Sequence, residues 1–329
     1  MNDRPLLTID HLTSAFLFNG KPYPVITDVC LSLDEGEVLG IVGESGSGKS
    51  VTAKNIMRLL PSPPASVLGG EIVLDGEPIL ALREKQMQRI RGNKVSMIFQ
   101  EPMTSLNPVF TCGDQIMEAV LLHQDVSRAE ARRRAVEMLD MVGIPMPQQR
   151  MKAYPHELSG GMRQRVMIAM ALCCHPKLLI ADEPTTALDP TIQAQILELL
   201  KKLRRDTNMA ILYITHDLSV VARLCDRVAV MYAGMVQEIA EVHELYKDPR
   251  HPYTLGLMQA MPRMGDDKKR LYNIPGTVPH FTQMPAGCHF APRCPCASPE
   301  CETVCPDMTE VAPGHVVRCL RARETGKEL

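Results

Sequence analysis

Val38-Leu39-Gly40-Ile41-Val42 runs directly into Gly43-Glu44-Ser45-Gly46-Ser47-Gly48-Lys49-Ser50, and this junction decides the fold. A short apolar run ending in a glycine-rich turn reads as a strand buried in a parallel sheet. The turn fits G-x-x-x-x-G-K-[ST], and a preceding strand is the context that gives such a match its meaning. Its glycines let the backbone wind tightly, so successive N–H groups point at one anion beside a helix N-terminus. Lys49 is placed to reach β- and γ-phosphates and Ser50 to bind Mg²⁺, with Ser45, Ser47 and Val51 completing the cradle. Chance produces this pattern on the order of once per hundred chains of such composition. The helix-compatible residues 51–60 lower that further, and nucleotide binding is the reading.

Further along, residues 95–99, 178–181 and 210–214 are apolar runs of strand length. Between the last two, Ile192, Ile196, Leu199, Leu200 and Leu203 fall on one helical stripe. Strand, helix and strand in this order predict a βαβ crossover and an α/β domain over residues 1–250. The run Leu178-Leu179-Ile180-Ala181 delivers Asp182 and Glu183 to its C-terminal edge, where open α/β sheets bind ligands. Asp182 is expected to hold magnesium through water and Glu183 to polarise an attacking water. Alone, an acidic loop after a core strand is the commoner reading; beside a phosphate loop it gives way. Residues 103–175 carry no good strand. There Ser127 and Glu130 predict a capping box opening a helix to 142, and Ser159 caps another reaching His175-Pro176. A helical subdomain is expected.

The whole chain, 329 residues with 45% hydrophobic and 22% charged, has ordinary globular composition. A net charge of −2 and 4% aromatics without Trp argue against nucleic acid or anionic lipid as partners. The longest apolar run, residues 166–174, is half of the ~18 needed to span a bilayer, and the N-terminus has no apolar signal core. A soluble protein made in the cytosol is expected. Six of the eleven cysteines fall after residue 287 among crowded prolines. In such a chain, clustering of this kind points to a metal or cluster site more than to disulfides. A boundary is placed near 250, with residues 251–329 a small cysteine-bearing appendage.

Leu158-Ser159-Gly160-Gly161-Met162-Arg163-Gln164-Arg165 resembles the signature motif of ATP-binding-cassette (ABC) ATPases. Ser159, Gly160 and Gly161 at a helix N-terminus offer a second anion cradle, with Gln164 counted beside them. By the same resemblance, Gln100 matches the family's Mg²⁺-contacting glutamine, Ala187-Leu188-Asp189 its D-loop, and His216 the switch histidine. Phe16 matches the adenine-stacking aromatic, with Phe18 and Tyr23 as rivals. The likeness covers residues 5–260. It implies a phosphate-loop NTPase core in which Glu183 and His216 are catalytic and Gly43, Gly46, Gly48 and Lys49 hold ATP.

Within the family, residues 99–108, 181–189 and 250–254 are most similar to ATPase subunits of dipeptide, oligopeptide and nickel importers. That resemblance implies a peripheral subunit on the cytoplasmic face of the membrane, powering di- or oligopeptide uptake. Its implied partners are two transmembrane permeases, a second related ATPase subunit and, indirectly, an extracytoplasmic binding protein. Nickel, metal-chelate or glutathione-type cargo is the alternative. A soluble non-transport cassette is the rival class, and a single motif set without a basic arm speaks against it. Cys288, Cys294, Cys301 and Cys319 resemble the tail pattern that binds a [4Fe-4S] cluster in these importers, with zinc as the chemical rival. Cys296 and Cys305 depart from it. Because Lys49, Glu183 and His216 all precede residue 250, hydrolysis is expected to survive loss of the cluster better than transport does.

Overall fold

The protein is described here from a computed structural model covering residues 4–100, 105–186, 188–261 and 272–322. Its strands are β1 (Leu7–Phe18), β2 (Lys21–Leu33), β3 (Val38–Val42), β4 (Ala65–Leu74), β5 (Glu77–Pro78) and β6 (Val95–Ile98), followed by β7 (Leu178–Asp182), β8 (Ala210–Thr215), β9 (Arg227–Tyr232), β10 (Met235–Glu241), β11 (Thr309–Ala312) and β12 (His315–Val317). The chain forms two compact units. One comprises residues 1–33, 38–80 and 214–329, the other residues 34–37 and 81–213.

In the first unit, β2-β1-β4-β5 form an antiparallel sheet. The β1–β2 hairpin turns at Asn19-Gly20, both at positive φ (51° and 74°), as a two-residue hairpin loop favours. Leu7, Ile9, Leu12 and Ala15 are buried; the spacing slips between Ile9 and Leu12, where the register breaks on both sides of β1. The strand run β11-β12-β10-β9-β3 belongs to the same unit. Here β3 pairs in parallel with β9, Ile41 opposite Ala229, and all five β3 residues are buried. The β9–β10 hairpin turns at Ala233-Gly234, and β12 pairs with β10, Val316 opposite Ile239. Described residues after 250 thus share a core with the phosphate-loop strand: Val42, Val230, Tyr232, Tyr253, Cys288 and Phe290 form one buried cluster. A cut at 250 does not follow the compact units.

In the second unit the strand run is β8-β7-β6, with β6 and β7 parallel, Met97 opposite Ile180. Among the described residues, 103–175 hold helices and no strand: Cys112–His123, Arg128–Met141, Pro147–Arg150 and Gly160–Leu172. The helix Pro190–Thr207 buries Ile196, Leu199, Leu200 and Leu203, as its stripe predicts, while Ile192 is only half-buried.

Several expected boundaries move. The helix after the phosphate loop is Lys49–Ile56 and stops short of residue 60, the chain turning into the left-handed region at Arg58, φ 48°. The helix Gly160–Leu172 ends before His175, which sits in the left-handed region at φ 54°. Ser127 accepts the Glu130 N–H at 3.2 Å, but the Glu130 carboxylate goes to Arg133 and Arg134, so only half a capping box forms. No helix among the described residues is long and apolar enough to cross a membrane.

Candidate nucleotide-binding site and cysteine pocket

In the first unit, β3 ends at Gly43, where a Cβ would lie 2.1 Å from the Met231 carbonyl oxygen. Only glycine lets the loop leave the strand this close to β9. Gly48, at φ 100°, opens the helix Lys49–Ile56. The Lys49 side chain is buried and curls over the loop, its Nζ donating to the carbonyls of Gly43 (2.7 Å) and Glu44 (3.0 Å) and to Ser47 Oγ (3.4 Å). The Gly234 N–H donates to the Ser47 carbonyl at 3.0 Å, tying the loop to the β9–β10 turn. Ser45 and Gly46 are exposed, while Gly48, Ser50 and Val51 are half-buried. His216 follows β8 directly and is exposed, beside Asp217, which caps the helix Leu218–Leu224.

The three aromatics expected to compete for adenine lie together, around a fourth that the sequence reading missed. Phe281 meets Phe16, Phe18 and Tyr23 edge-on, with centroids 6.3–6.5 Å apart and interplanar angles of 74–88°. Phe281 sits in a short turn, Phe281–Gln283, capped by His280.

The appendage also reaches the phosphate loop. The Glu44 N–H donates to Tyr253 Oη at 2.9 Å. Its carboxylate is gripped by Arg293, Nη1 to Oε2 at 2.6 Å and Nη2 to Oε1 at 3.2 Å. Arg293 is 5% exposed and Glu44 28%. Burial of this order gives the bidentate pair a reason to stay made, since leaving one charge alone there costs about 3–5 kcal/mol. Neither Tyr253 nor Arg293 carried a sequence signal for this role.

In the second unit, Asp182 is the buried last residue of β7. Glu183 turns into the left-handed region, φ 47°, and its Oε2 accepts from Thr186 Oγ1 at 2.9 Å and Gln100 Nε2 at 3.3 Å. Gln100 and Glu183, 83 residues apart, are thereby brought together. Ser159 caps the helix Gly160–Leu172 by accepting the Met162 N–H, and Ser159 and Gly160 are exposed. Gln164, expected beside them at the nucleotide, lies in the same helix. It is fully buried, and its Nε2 donates to the Pro184 carbonyl at 2.5 Å, so it links the signature helix to the loop after Glu183. Of the D-loop, Ala187 lies outside the described residues; Asp189 caps the helix Pro190–Thr207.

Cys288, Cys294, Cys296, Cys301 and Cys319 line one pocket with His251 and Phe290. Cys305 is exposed, its sulfur 4.0 Å from that of Met235. Burial pushes the Cys294 thiol up to about 12 and that of Cys319 up to about 11, and raises Cys288 as well. A main-chain N–H opposes this at Cys319, where Arg321 donates to the sulfur at 3.4 Å. Zinc on four thiolates needs sulfurs about 3.8 Å apart, from Zn–S bonds of ~2.3 Å. Among the described residues, the sole set of three or more ligand atoms within 4.8 Å of one another is Asp10, His11 and Cys30. An apolar pocket with converging thiols and an N–H···S donor fits an iron–sulfur cluster in its donor chemistry.

Residues 26–186 match the family model for ABC transporters, and residues 237–301 that for the oligopeptide/dipeptide transporter C-terminal region. The chain is 50% identical to a putative peptide import ATP-binding protein of Brucella melitensis, over 98% of this chain and 99% of that one. It is 50% identical to the oligopeptide transport ATP-binding protein AppD of Bacillus subtilis, over 98% of each. It is 49% identical to OppD of Escherichia coli, over 97% of this chain and 94% of that one. Among solved structures, an ATP-binding cassette dimer in a post-hydrolysis state with ADP and Pi matches 72% of this chain and 98% of its own, with TM-score 0.64 and 29% identity. The phosphate loop is therefore set in a known kind of ATPase, with likeness carried through the cysteine-bearing tail to nearly the full length of its relatives. The chain belongs to the ABC transporter family, in its oligopeptide/dipeptide branch of ATP-binding subunits.

Proposed function

We propose that this chain hydrolyses ATP at the cytoplasmic face of a membrane to power uptake of di- or oligopeptides through two permeases. Its partners in this reading are a second, related ATPase subunit and, indirectly, an extracytoplasmic binding protein. The carrying observation is identity of about one half, through both the cassette and the C-terminal region, with proteins named for peptide import. Lys49 and the loop 43–50 would cradle the phosphates, and Ser50, Gln100 and Asp182 would hold Mg²⁺, which neutralises charge on the transferring phosphoryl group. Glu183 orients and deprotonates the attacking water, and His216 contacts the γ-phosphate. Ser159, Gly160 and Gly161 serve the nucleotide of the partner subunit. The edge-on group of Phe16, Phe18, Tyr23 and Phe281 supports an aromatic seat for adenine at this end of the first unit.

The appendage, in the same reading, holds a [4Fe-4S] cluster on Cys288, Cys294, Cys301 and Cys319, which staples a loop-rich segment that has little core of its own. The gathering of these thiols in one apolar pocket supports a cluster site there.

Uptake of labelled di-, tri- and pentapeptides by cells that carry this chain or its Glu183→Gln variant tests the proposal. Peptide uptake lost with the variant, and nickel and glutathione uptake retained, is the expected result. Retained peptide uptake with lost nickel uptake would transfer the chain to the metal-chelate reading.

A further inference from the structure

All five N–H donors of Arg293 are engaged. Nε donates to the Pro275 carbonyl at 2.8 Å. Nη1 donates to Glu44 Oε2 and to Tyr232 Oη, and Nη2 to Glu44 Oε1 and to the Ile274 carbonyl. A guanidinium with every donor used, nearly without solvent, holds one position. Glu44, the residue it grips, is pinned at three points: its N–H by Tyr253, its carboxylate by Arg293, and its carbonyl by Lys49 Nζ. The appendage therefore fixes the peptide unit over which the phosphate-binding lysine rests.

What fixes Arg293 in turn is the cysteine pocket. It lies in the loop between Cys288 and Cys294, tightened by N–H bonds from Ala291 to the Cys288 carbonyl, from Arg293 to Phe290 and from Cys294 to Ala291. Phe290, within that loop, packs edge-on against Tyr232, with centroids 5.2 Å apart, and tilted against Tyr253 at 5.3 Å.

We propose that Arg293 is a positioning residue of the nucleotide site: through Glu44 it holds the phosphate loop in a form ready for ATP. The appendage is then part of the binding site, and ATP affinity depends on its fold. A loop held ready before ligand arrives loses less conformational freedom on binding, so the gain is in affinity. The γ-phosphate chemistry, which uses other residues, is left largely alone.

This rests on residues 43–50 being the nucleotide loop, so Lys49→Ala is the control. ATP binding by calorimetry, steady-state hydrolysis and thermal unfolding are measured on the full chain, purified anaerobically, for wild type, Arg293→Met, Glu44→Ala, the double variant and Lys49→Ala. Each single variant is expected to weaken ATP binding about 10-fold, with kcat changed less than about 3-fold. The double variant is expected to lose no more than the worse single one, because both remove the same contact. If Arg293→Met lowers the melting temperature but leaves ATP affinity unchanged, Arg293 serves the appendage alone and the proposal is overturned. If Arg293→Met fails to fold, Glu44→Ala, which leaves the appendage's own residues intact, decides alone; unchanged affinity there overturns the proposal as well. Undiminished ATP binding by Lys49→Ala would instead remove the nucleotide-loop reading, and this proposal with it.

Discussion

Replacing Glu183 by Gln separates chemistry from architecture at one atom. Two hydrogen bonds to the side chain arrive at the same oxygen, from Thr186 at 2.9 Å and Gln100 at 3.3 Å. A glutamine carbonyl oxygen in that place accepts both, and Gln tolerates φ 47° about as well as Glu does, so the fold changes by less than about 0.5 kcal/mol. What disappears is a carboxylate able to take a proton. General-base catalysis contributes about 10²–10⁴ in rate, or roughly 3–5 kcal/mol of barrier. Single-turnover hydrolysis should therefore slow by that factor, while calorimetric ATP affinity, set in the phosphate loop, stays within about twofold. Melting curves of the two proteins should superimpose. Hydrolysis within threefold of wild type, in protein that binds ATP normally, would refute Glu183 as the base.

Other outcomes follow from the first unit. Phe281→Ala removes the ring at the centre of the aromatic group, and aromatic pairs carry about 0.5–1.5 kcal/mol each beyond burial. ATP affinity should drop about fivefold with kcat at saturation unchanged; equal affinity would take adenine away from this end. Cys294→Ser should lose iron from anaerobically purified protein and Cys305→Ser should keep it, as metal analysis would show. One zinc and no iron in wild type would reject the cluster. His251 is fully buried, and burial lowers its imidazole from 6.5 to about 4. The unfolded chain thus binds the proton first, so the stability linked to this group is whole above pH 6.5 and drains away as pH falls toward 4, by about 3 kcal/mol at most. Urea midpoints at pH 7 and 4.5 should differ by less in His251→Gln than in wild type; an equal difference would show that the drop lies elsewhere.

The strands that the sequence revealed, β3, β6, β7 and β8, are those buried on both faces, whose apolar runs are continuous. The antiparallel sheet stayed hidden because the irregular stretch at His11 shifts the alternation from Leu7 and Ile9 to Leu12, so no period of two persists along β1. Yet Asn19-Gly20 was a plain hairpin signal between the two strands. The motif residues were legible because phosphate chemistry demands them in fixed local order. The burial of Gln164 was not legible, because helix position alone does not say which face is buried. The Arg293–Glu44 pair joins residues 249 apart, and an ion pair at that separation leaves no mark in either local stretch.

The division of the chain bears on how it is made. The second unit is almost one stretch of sequence, whereas the first is gathered from three, the last beginning at residue 214. The β3 segment finds its partner in β9 only after the ribosome has moved far ahead; the Val38 N–H donates to an aspartate, Asp226, 188 residues downstream. At translation speeds of about 5–20 residues per second, β3 waits on the order of ten seconds or longer with its parallel edge unpaired. Through that interval the nascent N-terminal third presents strand edges to anything nearby, a hazard for any exposed edge. Folding of the phosphate loop is thus a late event in synthesis, and chains stalled before residue 227 emerge without the β-strand that its glycine was shaped to meet.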